Sequence, residues 1–165
     1  MPSADRTRRL VVACALLGGA VAACGDDGDA LAERRAEVAE RGAQVMPFDL
    51  DATTHTFTDT DDGGVQTVTA DDPDDAAQID LIRGHLREER HRFARGDFDD
   101  PAAIHGHDMD GVAELADGYR DITVTYDDLP DGGRLTYRTD RPDLVRAVHA
   151  WFARQTMDHG DHASN

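Results

Sequence analysis

Two short stretches alternate apolar or β-branched residues with polar ones, Thr54 to Thr60 and Val65 to Ala70, and Asp61-Asp62-Gly63-Gly64 lies between them. A period of two predicts strands, and the Asp-Gly cluster predicts a tight hairpin turn. From about Asp74 to Arg95 the period lengthens, with Ile79, Ile82, Leu86 and Phe93 on one side of a helix that Pro73 opens and Gly96 breaks. Short helices are expected around Pro101 to Ile104 and Val112 to Ala116. Asp121 to Tyr126 and Arg134 to Thr139 then form a second hairpin around Pro130-Asp131-Gly132-Gly133, and Pro142 opens a last helix to about Met157. Ahead of all this, Ala30 to Gln44 has strong helix formers but a thin apolar stripe of Leu31 and Val38, which reads as a marginal helix or stalk.

The two halves repeat. Asp62-Gly63-Gly64, Thr67, Asp71, Pro73 and Asp74 recur at one constant offset as Asp131-Gly132-Gly133, Thr136, Asp140, Pro142 and Asp143. Turn chemistry accounts for part of that match, and duplication of a ββα unit accounts for all of it. The expected fold is α+β: two ββα units giving a four-stranded antiparallel sheet with the helices packed on one face.

The first residues have a different use. Arg6, Arg8 and Arg9 precede an apolar run from Leu10 to Val21, and Val21-Ala22-Ala23-Cys24 follows. A cationic start, an apolar core too short to span a bilayer and small residues before a cysteine resemble the signal and lipobox of a bacterial lipoprotein. Residues 1–23 are therefore expected to be a cleaved signal peptide and Cys24 the lipid-modified first residue. Residues 24–45 would be tether and marginal helix, and 46–165 a single domain with a polar tail. The expected location is extracytoplasmic, anchored to the cell membrane by lipid alone.

Charge and cysteine content narrow the partners. The chain carries a formal charge of −17, has no lysine, and contains only Cys14 and Cys24 as thiols. An acidic surface disfavours nucleic acid and anionic lipid heads and suits a metal ion or a small cationic ligand. With no thiol left after Cys24, any metal must be held by His, Met and carboxylates. Serine nucleophiles are missing, since only Ser3 and Ser164 occur, and so are a phosphate loop and a His-Glu-x-x-His motif.

The candidate metal ligands are His85, Glu89, His105, Met109, His149 and His159. Glu89 falls inside the apolar stripe of its helix, and His85 lies on the flank, four residues earlier. A carboxylate facing a core must be paired, hydrogen-bonded or metal-bound, so the two residues fit either a buried polar pair or a ligand pair. His91 projects to the opposite face. His105-Gly106-His107-Asp108-Met109 and Met157-Asp158-His159-Gly160-Asp161-His162 repeat imidazole, thioether and carboxylate, a set that suits copper or zinc. His149 sits at the edge of the last helix's stripe beside Trp151.

Several runs together resemble a known family. They are Met46-Pro47-Phe48-Asp49-Leu50, Thr54-His55-x-Phe57, Leu81-Ile82-Arg83-x-His85-Leu86-x-x-Glu89, Phe93-x-x-Gly96-Asp97-Phe98, Ile104-His105-Gly106-x-Asp108-Met109 and His149-x-Trp151-Phe152-x-x-Gln155-x-x-Asp158-His159. The chain is similar to small exported bacterial proteins, many with lipoprotein signals, that often carry the label aspartate carbamoyltransferase. The resemblance implies a small envelope domain. Carbamoyl phosphate is a dianion that a transferase cradles with several Arg, Lys or helix N-terminal amides. The Ser-Thr-Arg-Thr loop of the transcarbamoylases has no counterpart here.

The functional expectation is an extracytoplasmic binding protein for copper, zinc or a small cationic ligand. A metal-assisted, hydrolase-like enzyme with Glu89 as general base and a purely structural envelope module are the alternatives. The lipobox generates the first prediction. Cys24→Ala protein should keep its signal or leave the membrane fraction, as read by fractionation and mass spectrometry; fully processed Cys24→Ala protein that stays membrane-bound contradicts lipid anchoring.

Overall fold

A computed structural model describes residues 26–160 and 163–164. The signal segment and Cys24 lie outside the described residues, as does His162. In order, the chain forms α1 (Asp26–Val45), a 3₁₀ turn (Leu50–Ala52), β1 (Thr53–Thr60), β2 (Gly63–Ala70), α2 (Ala76–Phe93), α3 (Asp99–His105) and α4 (Val112–Gly118). A second 3₁₀ turn (Tyr119–Asp121), β3 (Thr123–Leu129), β4 (Gly132–Arg138), α5 (Pro142–His159) and the two-residue β5 (Ala163–Ser164) complete it. The architecture is mixed α+β.

The sheet order is β3-β4-β2-β1-β5. The four long strands pair antiparallel, and β5 adds a short parallel edge beside β1. The expected four-stranded antiparallel sheet is thus only roughly matched, because the tail after α5 returns to the sheet and makes it five-stranded and mixed.

Each hairpin turns in two residues, Asp61-Asp62 and Pro130-Asp131. The glycines placed in the turns by sequence instead begin β2 and β4. Their reason is close approach. A Cβ on Gly63 would lie 2.1 Å from the carbonyl oxygen of Tyr137, and one on Gly132 would lie 2.0 Å from that of Val68.

These two contacts are related. β2 pairs with β4 as Gly63↔Arg138 and Thr69↔Gly132, and Gln66 faces Leu135, its own counterpart in the sequence repeat. Thr54↔Thr69 in the first hairpin corresponds to Thr123↔Arg138 in the second. A pseudo-twofold axis therefore passes between β2 and β4.

Helices α2 and α5 cover one face of the sheet, and Phe57, Val68, Leu135, Tyr137, Ile82, Leu86, Trp151 and Phe152 form the core between them. Helix α2 starts at an Asp75 cap whose side chain accepts the amide of Gln78 at 3.0 Å. Proline opens α5. The α1 segment, whose composition suggests a stalk, is docked against α3 and α5. Val38 is 1% exposed, and Arg34, Arg35 and Arg41 donate to the carbonyls of His105, Met157 and Ile104. Packing and long-range hydrogen bonds supply what a thin apolar stripe could not. Among the described residues no helix is long and apolar enough to cross a membrane.

The close approach of β2 and β4 at Gly132 is testable. Gly132→Ala should destabilise the fold by about 3 kcal/mol, because the new methyl must push β2 and β4 apart. Urea unfolding measures this; a loss under about 0.5 kcal/mol would show that the close approach is not required.

Candidate functional site

Between the sheet and the helices lies a partly enclosed cavity of about 40 Å³, room for one or a few water-sized groups. His55, Gln66, His85, Glu89, His105, Gln155 and His159 supply its polar lining, and Phe48, Leu86, Phe93 and Trp151 are among its apolar walls.

Four of the six residues expected from sequence meet here: His85, Glu89, His105 and His159. Met109 does not; it is 5% exposed and packs in the core. His149 is also elsewhere. Its Nε2 lies 3.0 Å from the carbonyl oxygen of Thr60 and 2.9 Å from that of Gly63, so it holds the first hairpin's turn. His107 and His91 are exposed.

His105 is the most constrained ligand candidate. It is 2% exposed, and its Nδ1 lies 2.9 Å from Asp158 Oδ2. Asp158 is 1% exposed and also accepts Arg34 at 2.6 and 2.8 Å and Arg154 at 3.1 Å. Burial opposes ionisation of this carboxyl, but the hydrogen bonds from His105, Arg34 and Arg154 override it and hold the group well below the usual carboxylate range. Asp158 therefore fixes the ring of His105 and leaves its Nε2 free of that bond, the arrangement of a carboxylate behind a metal-bound imidazole.

His159 lies beside His105, with ring centres 5.0 Å apart, and stacks on His55 with centres 5.5 Å apart and planes within 3°. Its Nε2 is 3.1 Å from Gln155 Oε1. Across the cavity His85 meets Phe48 edge-on at 5.6 Å, and burial lowers its pKa, which favours the neutral ring that a metal needs. Two imidazoles on one tetrahedral ion have ring centres about 5 Å apart, given bonds of about 2.0–2.1 Å. The spacing fits, but parallel rings do not aim at one point. Among the described residues no group of three His, Cys, Asp or Glu side chains is placed to hold an ion.

Glu89 is 5% exposed, and burial pushes its carboxyl up to about 8, with Asp100 adding to the rise through its charge and a hydrogen bond. Arg92 lowers the pKa, yet its Nη1 is 3.8 Å from Glu89 Oε1 and the guanidinium is engaged by Asp97 and Asp100. Glu89 Oε1 and Trp151 Nε1 find no hydrogen-bond partner among the described residues, and both residues line the cavity.

Two members were missed by sequence reasoning. His55 shares the inward face of β1 with Phe57, two residues on, so the strand alternation that singled out Phe57 already pointed to it. Asp158 occupies the position in α5 that Glu89 occupies in α2, and carrying the repeat into the helices would have found it. No family model, curated protein or solved structure matches the chain.

The perturbed carboxyl makes stability depend on pH. A folded pKa of about 8 against 4.5 unfolded means that the folded state holds the extra proton between those values. Its contribution is complete below pH 4.5 and is lost as pH rises through 8, by ~5 kcal/mol at most. Glu89→Gln keeps the neutral shape and does not titrate. Its unfolding free energy should therefore gain on wild type by several kcal/mol across that window; parallel pH profiles would show Glu89 to be ionised in the folded protein.

Proposed function

We propose that the protein is a lipid-anchored extracytoplasmic binding protein whose inner cavity takes one copper or zinc ion. His85, His105 and His159 are the ligands, with His55 adjoining. The observation that carries this reading is the convergence of four imidazoles on one small cavity, one of them backed by a buried carboxylate. The chain has no thiol beyond Cys14 and Cys24, so imidazole is the strongest metal ligand the domain can offer. The resemblance to small exported proteins agrees with the location and adds no chemistry.

A second reading keeps the site and makes it catalytic. Glu89 Oε1 and Trp151 Nε1 are buried without partners among the described residues, and a metal-bound water in the cavity would offer them one, with Glu89 as general base above about pH 8, where its carboxyl is ionised.

Isothermal titration of untagged protein with Cu(II) and Zn(II) tests the binding. Wild type should bind about one ion in the micromolar range or tighter, weakening below about pH 6 as imidazoles protonate. His85→Ala, His105→Ala and His159→Ala should each cost at least tenfold in affinity. His91→Ala and His149→Ala should cost less than twofold. Equal losses at all five positions would identify diffuse attraction to an acidic surface, and absence of binding would leave the cavity as a structural polar cluster.

A further inference from the structure

Outside the inner cavity lies a second, larger one. It measures about 280 Å³ and sits at the surface between α1 and the end of α5, walled by Arg35, Ala39, Leu50, Asp51 and Gly160. His55 and His159 line both chambers. Stacked with planes within 3°, they stand where the two chambers adjoin.

The two rings have different supports. His55 is held on the central part of β1. His159 is the last residue of α5, followed by Gly160 at a φ of +59°, and helix ends open more readily than strand interiors. Gly160 keeps the outer chamber wide. A side chain there would run into the Arg35 guanidinium, 3.1 Å away, which is itself tied to the carbonyl of Met157. Phe57, Val68 and Ile104 are buried along the other walls of the inner chamber, and Met46 and His85 are half-buried there. The depressions beside α2 and β3, on the outer face of the sheet and between α4 and α5 share no lining residue with it. Within it, Trp151 Nε1 and Glu89 Oε1 are buried polar atoms with no hydrogen-bond partner among the described residues.

We infer that the outer chamber is the mouth of the site, and that an incoming hydrated metal ion passes from it to the inner cavity as His159 swings away from His55. This deepens the metal-binding reading and rests on it. It also limits the cargo to an ion with small ligands, since a bulky chelate cannot pass between the two rings.

Ala39 is exposed on the wall of the mouth, which allows it to be plugged reversibly. Ala39→Cys, treated with benzyl methanethiosulfonate, places an aromatic group in the outer chamber. Wild type treated identically controls for Cys14 and Cys24, and Ala94→Cys, exposed at the end of α2, controls for the label itself. Trp151 is the sole tryptophan and lines the inner chamber, so its fluorescence reports arrival there. The plug should slow stopped-flow quenching by Cu(II) at least tenfold and weaken acrylamide quenching at least threefold. Removal of the adduct with dithiothreitol, followed by desalting, should restore both in the same protein. Unchanged quenching by both agents in the plugged protein overturns the inference, and so does failure of both to reach Trp151 in the unplugged one. If Cu(II) quenches neither form while the plug still weakens acrylamide quenching, the mouth stands and the metal-binding reading falls.

Discussion

A carboxylate withdrawn from water is tolerated only when cationic or polar donors replace its hydration, and Asp158 meets that condition with donors from three helices. Arg34 comes from α1, His105 from α3, and Arg154 from α5 itself. Remove the carboxylate and two guanidinium groups and an imidazole lose their common partner. The N-terminal helix would lose its bidentate anchor, and His105 the bond that orients its ring. Docking of α1 and the geometry of the cavity are therefore one electrostatic problem with one solution.

The pseudo-twofold makes the companion position informative. Glu89 stands in α2 where Asp158 stands in α5, yet no helix corresponding to α1 reaches it, and its nearest guanidinium is already held by Asp97 and Asp100. The same kind of residue at matching places is thus held below the usual carboxylate range on one side and pushed up to about 8 on the other. Difference in donors, not in side-chain chemistry, separates them. The cavity lies where the symmetry of the backbone coexists with this asymmetry of charge.

Much of the fold was legible because it rests on local chemistry. Alternation marked the hairpins, Pro142 marked α5, and the stripe of Ile79, Ile82 and Leu86 marked the buried face of α2. Glu89 within that stripe was legible as an anomaly for the same reason. The rest depends on partners distant in sequence. Nothing in the neighbourhood of Arg34 announces Asp158, so α1 read as a stalk. His149 and His105 are both imidazoles among apolar residues, and only tertiary contact decides that one holds a turn and the other faces a cavity. Met109 offered a soft sulfur in sequence and became packing in the core. The parallel β5 strand follows from where the tail returns, which periodicity does not encode.

The separation of Arg34 from Asp158, 124 residues along the chain, bears on when the molecule becomes whole. Ribosomes deliver the N-terminus first, and α1 on its own is a thin-striped helix of marginal stability in water. It has to wait, without its anchor, until nearly the last residue has emerged. Both ββα units can collapse before then, since each hairpin and its following helix are contiguous. Closing α1 over the end of α5 needs Asp158 in place, and it brings Arg35 and Ala39 to the wall of the outer chamber. A chain cut short of Asp158 and His159 would accordingly leave α1 without its anchor and the cavity without one of its imidazoles.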